Sequence, residues 1–152
     1  MPNEKIYWNS EEYSLGIDTI DSQHKKLFIL VNKLYDLDDD TATKEEIRSI
    51  LYDFSNYMKT HFNEEEEFMQ SVGYDLIQEH KQQHEELIEI LHSVIKIPAK
   101  LNIIKSKMKI IAKRALINHI IREDMKIKEF LVKNHIDFKY YTIDLTNLEI
   151  EN

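Results

Sequence analysis

Two pairs of metal-binding side chains occur at a spacing of four residues in this sequence. The first pair is His61 and Glu65 in HFNEEEEFM, and the second is His80 and His84 in HKQQH. Residues four apart lie on one face of an α-helix, so each pair can direct two ligands to one point. Imidazole combined with carboxylate is a ligand set that suits iron.

Three further residues complete a candidate set of five histidines and two carboxylates. His24 lies on the apolar stripe of an earlier segment, and HIIRED contains a histidine and an aspartate. The full set of candidate metal ligands is His24, His61, Glu65, His80, His84, His119 and Asp124. A tetrahedral zinc ion takes four ligands, so this set indicates a site for two metal ions. The absence of cysteine excludes thiolate sites such as iron–sulfur clusters.

Each of these features has a simpler explanation when it is taken alone. A single histidine on an apolar face is usually a core residue, and a run of glutamates usually faces solvent. The conjunction of all of them on the inward stripes of four helices favours a metal site. We expect Glu65 to point inward, where its charge is uncompensated in the absence of a metal. We expect the other glutamates of the run to face solvent: Glu64, Glu66 and Glu67. His92 and His135 have no such partners, and we assign them no role.

Four long helices are needed to position these side chains. Apolar residues at intervals of three and four predict helices from about Asp18 to Tyr35, Thr43 to Gly73, Asp75 to the residue before Pro98, and Asn102 to Lys133. Because the connections are short, the predicted fold class is all-α, an up-down-up-down four-helix bundle. We predict a single domain over residues 1–152, with an N-terminal arm at 1–17, the bundle at about 18–133 and a tail at about 136–152.

The pair in the fourth helix has the least favourable spacing. His119 and Asp124 are five residues apart, which corresponds to about 140° of rotation on a regular α-helix. The two side chains could meet only by flanking the apolar stripe and leaning inward.

The composition indicates an acidic globular domain. Hydrophobic residues make up 42% of the 152 residues, charged residues make up 32%, and the net charge is −8. That charge argues against nucleic acid or an anionic membrane as the partner. No apolar run approaches the roughly 18 residues that a membrane span needs, and the N-terminus has no apolar signal region. We therefore expect a cytoplasmic protein.

Four motifs, in this order, resemble those of bacterial hemerythrins. They are WNSEEYSLGIDTIDSQH, HFNEEEEFM, GY followed by HKQQH, and HIIRED, and together they extend over nearly the whole chain. The resemblance implies two iron ions joined by an oxo or hydroxo bridge. It assigns His80, His84 and His119 to one iron, His24 and His61 to the other, and Glu65 and Asp124 to both as bridges.

The same resemblance implies reversible dioxygen binding, for transport, storage or scavenging, rather than enzymatic turnover. It leaves any protein partner unknown. Ile117, two residues before His119, matches a bulky apolar position that lines the oxygen pocket in relatives. That residue is therefore a candidate for contact with the bound gas.

The chain departs from the family pattern at two positions near the ligands. Asp75 stands where a proline is common, and it can cap the third helix instead. Ala115 stands where tryptophan is frequent, four residues before His119, so the packing beside the site differs.

Three other functions remain open on the sequence alone. A sensor of oxygen, redox state or nitric oxide would have to act through a separate partner, because 152 residues leave no room for an output domain. A di-iron oxidase is disfavoured because ferritin-like sites use two Glu-x-x-His motifs, whereas this chain has one, Glu89 to His92. A zinc hydrolase is disfavoured because HKQQH lacks the glutamate of H-E-x-x-H.

Overall fold

Four helical stretches form an antiparallel bundle, as the sequence predicts. The structure is a computed structural model and describes residues 5–136. A short helix α1 (Ser10–Tyr13) is followed by three long helices: α2 (Asp18–Tyr35), α3 (Lys44–Ser71) and α4 (Ile77–Lys96). The fourth stretch runs from Leu101 to Lys133. Each long helix packs on the next, and the fourth stretch also contacts α2, which closes the bundle.

The fourth stretch changes its winding along its length. It begins as α5 (Leu101–Ile111), continues through two π-helical segments, Ala112–Asn118 and Ile120–Asp124, and ends as α6 (Met125–Lys133). The sequence pattern predicts one continuous α-helix here, so the π-helical winding is a difference from the prediction.

The two ends of α3 follow the local signals in the sequence. The Thr43 hydroxyl accepts a hydrogen bond from the backbone N–H of Glu46, and the Glu46 carboxylate accepts one from the backbone N–H of Thr43, both at 3.0 Å. This is the reciprocal pairing of a capping box. After the helix ends at Ser71, Gly73 has a φ of +69°, a conformation that glycine adopts without a steric cost.

The expected capping of the third helix by Asp75 is wrong. α4 begins at Ile77, the capping position is Leu76, and no side chain caps the helix. The preceding turn is held by the backbone instead, since the N–H of Tyr74 donates to the carbonyl of Met69 at 2.9 Å. That turn carries the chain past Asp75 before the next helix starts.

The core is built from the apolar stripes of the four stretches. Phe54, Met58 and Phe68 of α3 are no more than 1% exposed, as are Leu34 of α2 and Leu91 of α4. Burial of one such side chain contributes about 1.5–3 kcal/mol relative to exposure. This packing fixes the rotation of each helix and therefore the direction of the polar residues that share its inner face.

The N-terminal arm packs on α2. The Trp8 ring packs edge-to-face with Tyr13 and Phe28, with ring centroids 5.6 and 5.7 Å away, and its centroid lies 6.4 Å from that of His24. The Asn32 amide exchanges two hydrogen bonds with the backbone of Ile6, at 2.8 and 2.9 Å. The arm is thereby joined to α2 at two levels.

The predicted tail and the first residues of the arm lie largely outside the described residues. Of the predicted tail at 136–152, only Ile136 is described. Within residues 5–136, no helix is both long enough and apolar enough to cross a membrane.

Candidate metal centre

All seven candidate ligands lie together in the interior of the bundle, and none is more than 6% exposed. They form two overlapping groups of donors whose ligand atoms lie within 4.8 Å of one another. The larger group contains Glu65, His80, His84, His119 and Asp124, and the smaller contains His24, His61, Glu65 and Asp124. The two carboxylates are the residues that belong to both groups.

The antiparallel arrangement brings these residues to the same level of the bundle. His24 lies in the second turn of α2, whereas His61 and Glu65 lie near the end of α3. His80 and His84 occupy the first two turns of α4. Because successive helices run in opposite directions, the start of one helix lies beside the end of the next.

The π-helical winding explains how His119 and Asp124 reach the same site. In a π-helix the backbone hydrogen bond joins residues five apart, so such residues lie one turn apart on the same side. The segments Ala112–Asn118 and Ile120–Asp124 flank and include this pair, and both side chains are buried. The separation of about 140° expected for a regular α-helix is therefore wrong for this stretch.

Each carboxylate directs one oxygen toward each group of histidines. Oε1 of Glu65 lies 2.9 Å from Nε2 of His80 and 3.2 Å from Nε2 of His84. Oε2 of the same residue lies 3.6 Å from Nε2 of His24 and 3.4 Å from Nε2 of His61. This is the arrangement needed for one carboxylate to serve two neighbouring ions.

The aspartate repeats this arrangement from the opposite side of the bundle. Oδ1 of Asp124 lies 2.9 Å from Nε2 of His80 and 3.1 Å from Nε2 of His119, and Oδ2 lies 3.2 Å from Nε2 of His24. The Nε2 atoms of His80 and His119 also face each other at 3.2 Å. Imidazole nitrogens converge in this way around a shared cation.

Unpaired buried atoms provide a test of whether the site fits metal ions. Several donor atoms of the cluster lie close to one another without forming a hydrogen bond of good geometry: both ring nitrogens of His24, Nε2 of His84, Oε2 of Glu65 and both oxygens of Asp124. Leaving one buried polar atom unsatisfied costs about 1–3 kcal/mol. Atoms of this kind, converging from four helical stretches, fit a site that is completed by cations.

The charges of the cluster compensate one another even without a metal. Burial alone would raise the pKa of the Glu65 carboxyl, but its contacts with His24, His80 and His84 outweigh burial and hold the pKa well below its usual value. The pKa of Asp124 is also lowered, because the contacts with His119 and His24 outweigh burial and the nearby charge of Glu65. The expectation of an uncompensated charge on Glu65 is therefore wrong.

The pKa values of His24 and His80 shift in the opposite direction to that of His61. Burial opposes protonation of His24 and His80, but contacts with Asp124 and Glu65 prevail and raise the pKa to about 9 for His24 and about 10 for His80. Burial, followed by repulsion from His24, lowers the pKa of His61 to about 3. At neutral pH two imidazolium rings thus face two carboxylates, and metal ions would have to displace those protons.

Two of the glutamates expected to face solvent are instead connected to ligand rings, Glu66 directly and Glu64 through the amide of Gln23. Oε2 of Glu66 accepts a hydrogen bond from Nδ1 of His84 at 2.8 Å. Glu64 accepts a hydrogen bond from the side-chain amide of Gln23, whose Oε1 in turn lies 2.7 Å from Nδ1 of His61. Of the three, only Glu67 is exposed, as expected.

Sequence reasoning therefore missed three polar residues around the ligands: Gln23, Glu64 and Glu66. Each is adjacent to a candidate ligand in the chain but contacts a side chain on a neighbouring helix, so the sequence pattern contains no signal for these contacts. The ring of Phe62 stacks on that of His84, with centroids 3.7 Å apart and planes 4° from parallel.

The remaining predicted positions can also be placed. Ile117 is half-buried and packs against the core, and Ala115 is buried. His92 is partly exposed, His135 is exposed, and neither belongs to the two donor groups found among residues 5–136.

Comparisons with known proteins agree on one family. A family model described as the hemerythrin HHE cation binding domain matches residues 15–131. The bacteriohemerythrin of Campylobacter jejuni subsp. jejuni serotype O:23/36 is 29% identical over 81% of this chain and 93% of its own. The myohemerythrin of Theromyzon tessulatum is 32% identical over 82% of this chain and 92% of its own.

Solved structures show the same relationship in three dimensions. The crystal structure of a wild-type hemerythrin superposes with a TM-score of 0.70 at 28% identity, over 82% of this chain and 95% of that chain. The family match, the bundle and the paired donor groups thus lead to one conclusion: the chain belongs to the hemerythrin family and has the di-iron, dioxygen-binding function of that family.

Proposed function

We propose that this protein binds dioxygen reversibly, at two irons held by the seven clustered side chains, and that it acts as a carrier or store rather than as an enzyme. The iron pair, when bound, supplies the electrons and the open coordination position that dioxygen requires. In this proposal His80, His84 and His119 hold one iron, His24 and His61 hold the other, and Glu65 and Asp124 bridge them. The observation that carries the assignment is that each carboxylate directs its two oxygens to different histidine groups.

The unequal numbers of protein donors favour one side of the site for the gas. The three-histidine group offers five residues, and the two-histidine group offers four. With one donor fewer, the side of His24 and His61 keeps the open position that a reactive metal site requires. We therefore place dioxygen on that side.

Burial of the ligands supports reversible binding rather than further reaction. The two carboxylates are 0% exposed, and the five histidines are at most 6% exposed. An enclosed site of this kind excludes water and slows the entry of protons, which protects a bound gas molecule from side reactions. A cytoplasmic location and the absence of a nucleic acid partner are also part of the proposal, and the net charge of −8 supports the second point.

An anaerobic loading experiment tests this function directly. The protein is reduced and loaded with ferrous iron, oxygen is admitted and then removed, and the visible spectrum is recorded throughout. We expect about two irons per chain and a spectrum that returns to its starting form over several cycles, because seven ligands build a dinuclear site with one open position. One iron per chain, or prompt irreversible oxidation with release of peroxide, would contradict the proposal.

A second prediction concerns the wall of the proposed gas pocket. We propose that Ile117 lines it, so Ile117→Ala opens the apolar side to water and shortens the lifetime of the oxygenated form severalfold without loss of iron. Ile110→Ala is the matched control, because Ile110 lies on the same helical stretch and is 58% exposed. The decay of the oxygenated spectrum measures the effect, and equal decay rates for both variants would remove Ile117 from the pocket.

A further inference from the structure

The side chain of Gln23 bridges a candidate iron ligand and a glutamate near the surface. Its carbonyl oxygen Oε1 lies 2.7 Å from Nδ1 of His61, and its amide nitrogen donates a hydrogen bond to Oε2 of Glu64. Gln23 is only 3% exposed, whereas Glu64 is partly exposed. A polar connection therefore runs from the edge of the bundle to the back of the His61 ring.

The chemistry of these groups fixes the direction of every hydrogen bond in the connection. An ionised carboxylate can only accept, so Glu64 requires the NH₂ group of the Gln23 amide to face it. The carbonyl oxygen of that amide must then face His61, and because it also can only accept, Nδ1 of the ring must carry the proton. A neutral imidazole has one such proton, so Nε2 is left with its lone pair.

The placement of the proton on Nδ1 matters because Nε2 of His61 is the ring nitrogen that faces the candidate metal site. Nε2 of His61 points into the cluster, toward Oε2 of Glu65 at 3.4 Å. That carboxylate oxygen would favour a proton on Nε2, but it makes no hydrogen bond, whereas the contact on the Nδ1 side is shorter by 0.7 Å. The connection through Gln23 therefore disfavours the neutral tautomer with its proton on Nε2, and that tautomer cannot bind a metal through Nε2.

We infer that Glu64, acting through Gln23, selects the ring tautomer of His61 in which Nε2 is free to bind iron. Glu64 is a positioning residue in this scheme, since it acts on His61 through the side-chain amide of Gln23. The inference rests on the proposed role of His61 as an iron ligand. Glu66 accepts a hydrogen bond from Nδ1 of His84 directly, at 2.8 Å. One ring of each donor group is therefore linked to a carboxylate: His84 directly to Glu66, and His61 to Glu64 through the Gln23 amide.

The inference can be tested with variants that reverse the directions of the hydrogen bonds from residue 64 through Gln23 to His61. In Glu64→Lys the new ammonium group can only donate, so the Gln23 amide turns its oxygen toward residue 64 and presents its NH₂ group to His61. The ring proton then moves to Nε2. The double variant Glu64→Lys, Gln23→Glu restores an acceptor that faces both the lysine and Nδ1, so it returns the proton to Nδ1. Glu67→Lys is the control, because it makes the same charge change at an exposed position.

Two measurements follow these variants. Nitrogen NMR of the histidine rings in the metal-free protein shows which nitrogen of His61 carries the proton, and we expect Nδ1 in the wild type, the control and the double variant. Anaerobic titration with ferrous iron gives the affinity of each iron. We expect one of the two irons to bind about 10- to 100-fold more weakly in Glu64→Lys, with recovery in the double variant.

Each outcome decides for or against the inference. A proton on Nε2 in the wild type overturns it, even if the lysine variant fails to fold, and so does a lysine variant with an unchanged tautomer and unchanged iron affinity. A double variant that is no better than the single variant indicates a purely structural role and also overturns it. Because the ring NMR needs neither iron nor oxygen, failure of reversible oxygen binding would be distinguishable from failure of this inference.

Discussion

Glu65→Leu is expected to lose most of its bound iron, while Glu67→Leu keeps about two irons per chain. The Glu65 carboxylate lies within 3.6 Å of four imidazole nitrogens and serves both donor groups, and an alkyl group cannot replace it. Substitution of a residue that only supports a metal ligand weakens metal binding by about 10- to 100-fold. We therefore expect substitution of the Glu65 carboxylate, a ligand itself, to lower iron affinity by more than about 100-fold. Ferrous titration with a chelator as competitor measures the difference.

The choice of control matters because neighbouring glutamates are not equivalent. Glu64 and Glu66 look suitable from the sequence, but Glu66 contacts the ring of His84 and Glu64 contacts the Gln23 amide that holds the ring of His61. Glu67 has no such contact among the hydrogen bonds and ion pairs of the described residues, and it is exposed. Equal iron contents in Glu65→Leu and Glu67→Leu would show that Glu65 is not a ligand.

The metal-free form of Glu65→Leu distinguishes two views of the buried charge. If the carboxylate were uncompensated, leucine would stabilise the metal-free protein. The structure instead places it against His24 and His80, whose pKa values are raised. Its removal leaves each of these imidazoles with Asp124 as its one carboxylate partner, and we expect a cost of about 1–3 kcal/mol. We therefore expect metal-free Glu65→Leu to melt below the metal-free wild type.

Removal of iron is expected to lower the melting temperature of the wild type by roughly 15 °C or more. A ligand at a thousandfold excess over its dissociation constant stabilises the folded state by about 4 kcal/mol per site. For a chain of this size, 1 kcal/mol corresponds to about 2–4 °C. Differential scanning calorimetry of iron-loaded and chelated protein at pH 7 measures the change, and a difference of only a few degrees would contradict tight binding at two sites.

The same difference in melting temperature is expected to widen between pH 7 and pH 9. The raised pKa values of about 9 for His24 and about 10 for His80 stabilise the metal-free fold most fully below the unfolded value of about 6.5, and this stabilisation is lost as pH rises through the folded values. Iron-loaded protein has no ring protons of this kind to lose, because metal-bound imidazole is neutral. His135→Gln is the control, since His135 is exposed and lies outside the cluster. A metal-free melting temperature that stays constant to pH 9 would contradict the charge assignment.

Much of the fold follows from local signals that the sequence contains. The capping box of Thr43 and Glu46, the glycine at 73 and the apolar stripes predict the helices to within a few residues, because each signal acts over one or two turns. The inward direction of Glu65 is predictable for the same reason, since spacings of three and four place it on the stripe of Phe54, Met58 and Phe68. For Glu65, burial follows from the periodicity of its own helix.

Other features depend on contacts that a single helix does not determine. The contact of Gln23 with His61 joins α2 to α3, and that of Glu66 with His84 joins α3 to α4. Their formation depends on the relative height and rotation of two helices, which residue spacing along one helix does not specify. The start of α4 at Ile77 rather than Asp75 likewise depends on the backbone turn at Tyr74.

The π-helical winding in the fourth stretch has a consequence for the alignment of related sequences. A π-helical turn accommodates one more residue than an α-helical turn, and here the residues beyond it still face the core, since Ile127 and Leu131 are 0% exposed. The helix therefore absorbs its additional residue locally. A relative with one residue fewer between the histidine and the aspartate could wind as a regular α-helix and keep both side chains inward. A gap at this point in an alignment would be compatible with an intact site.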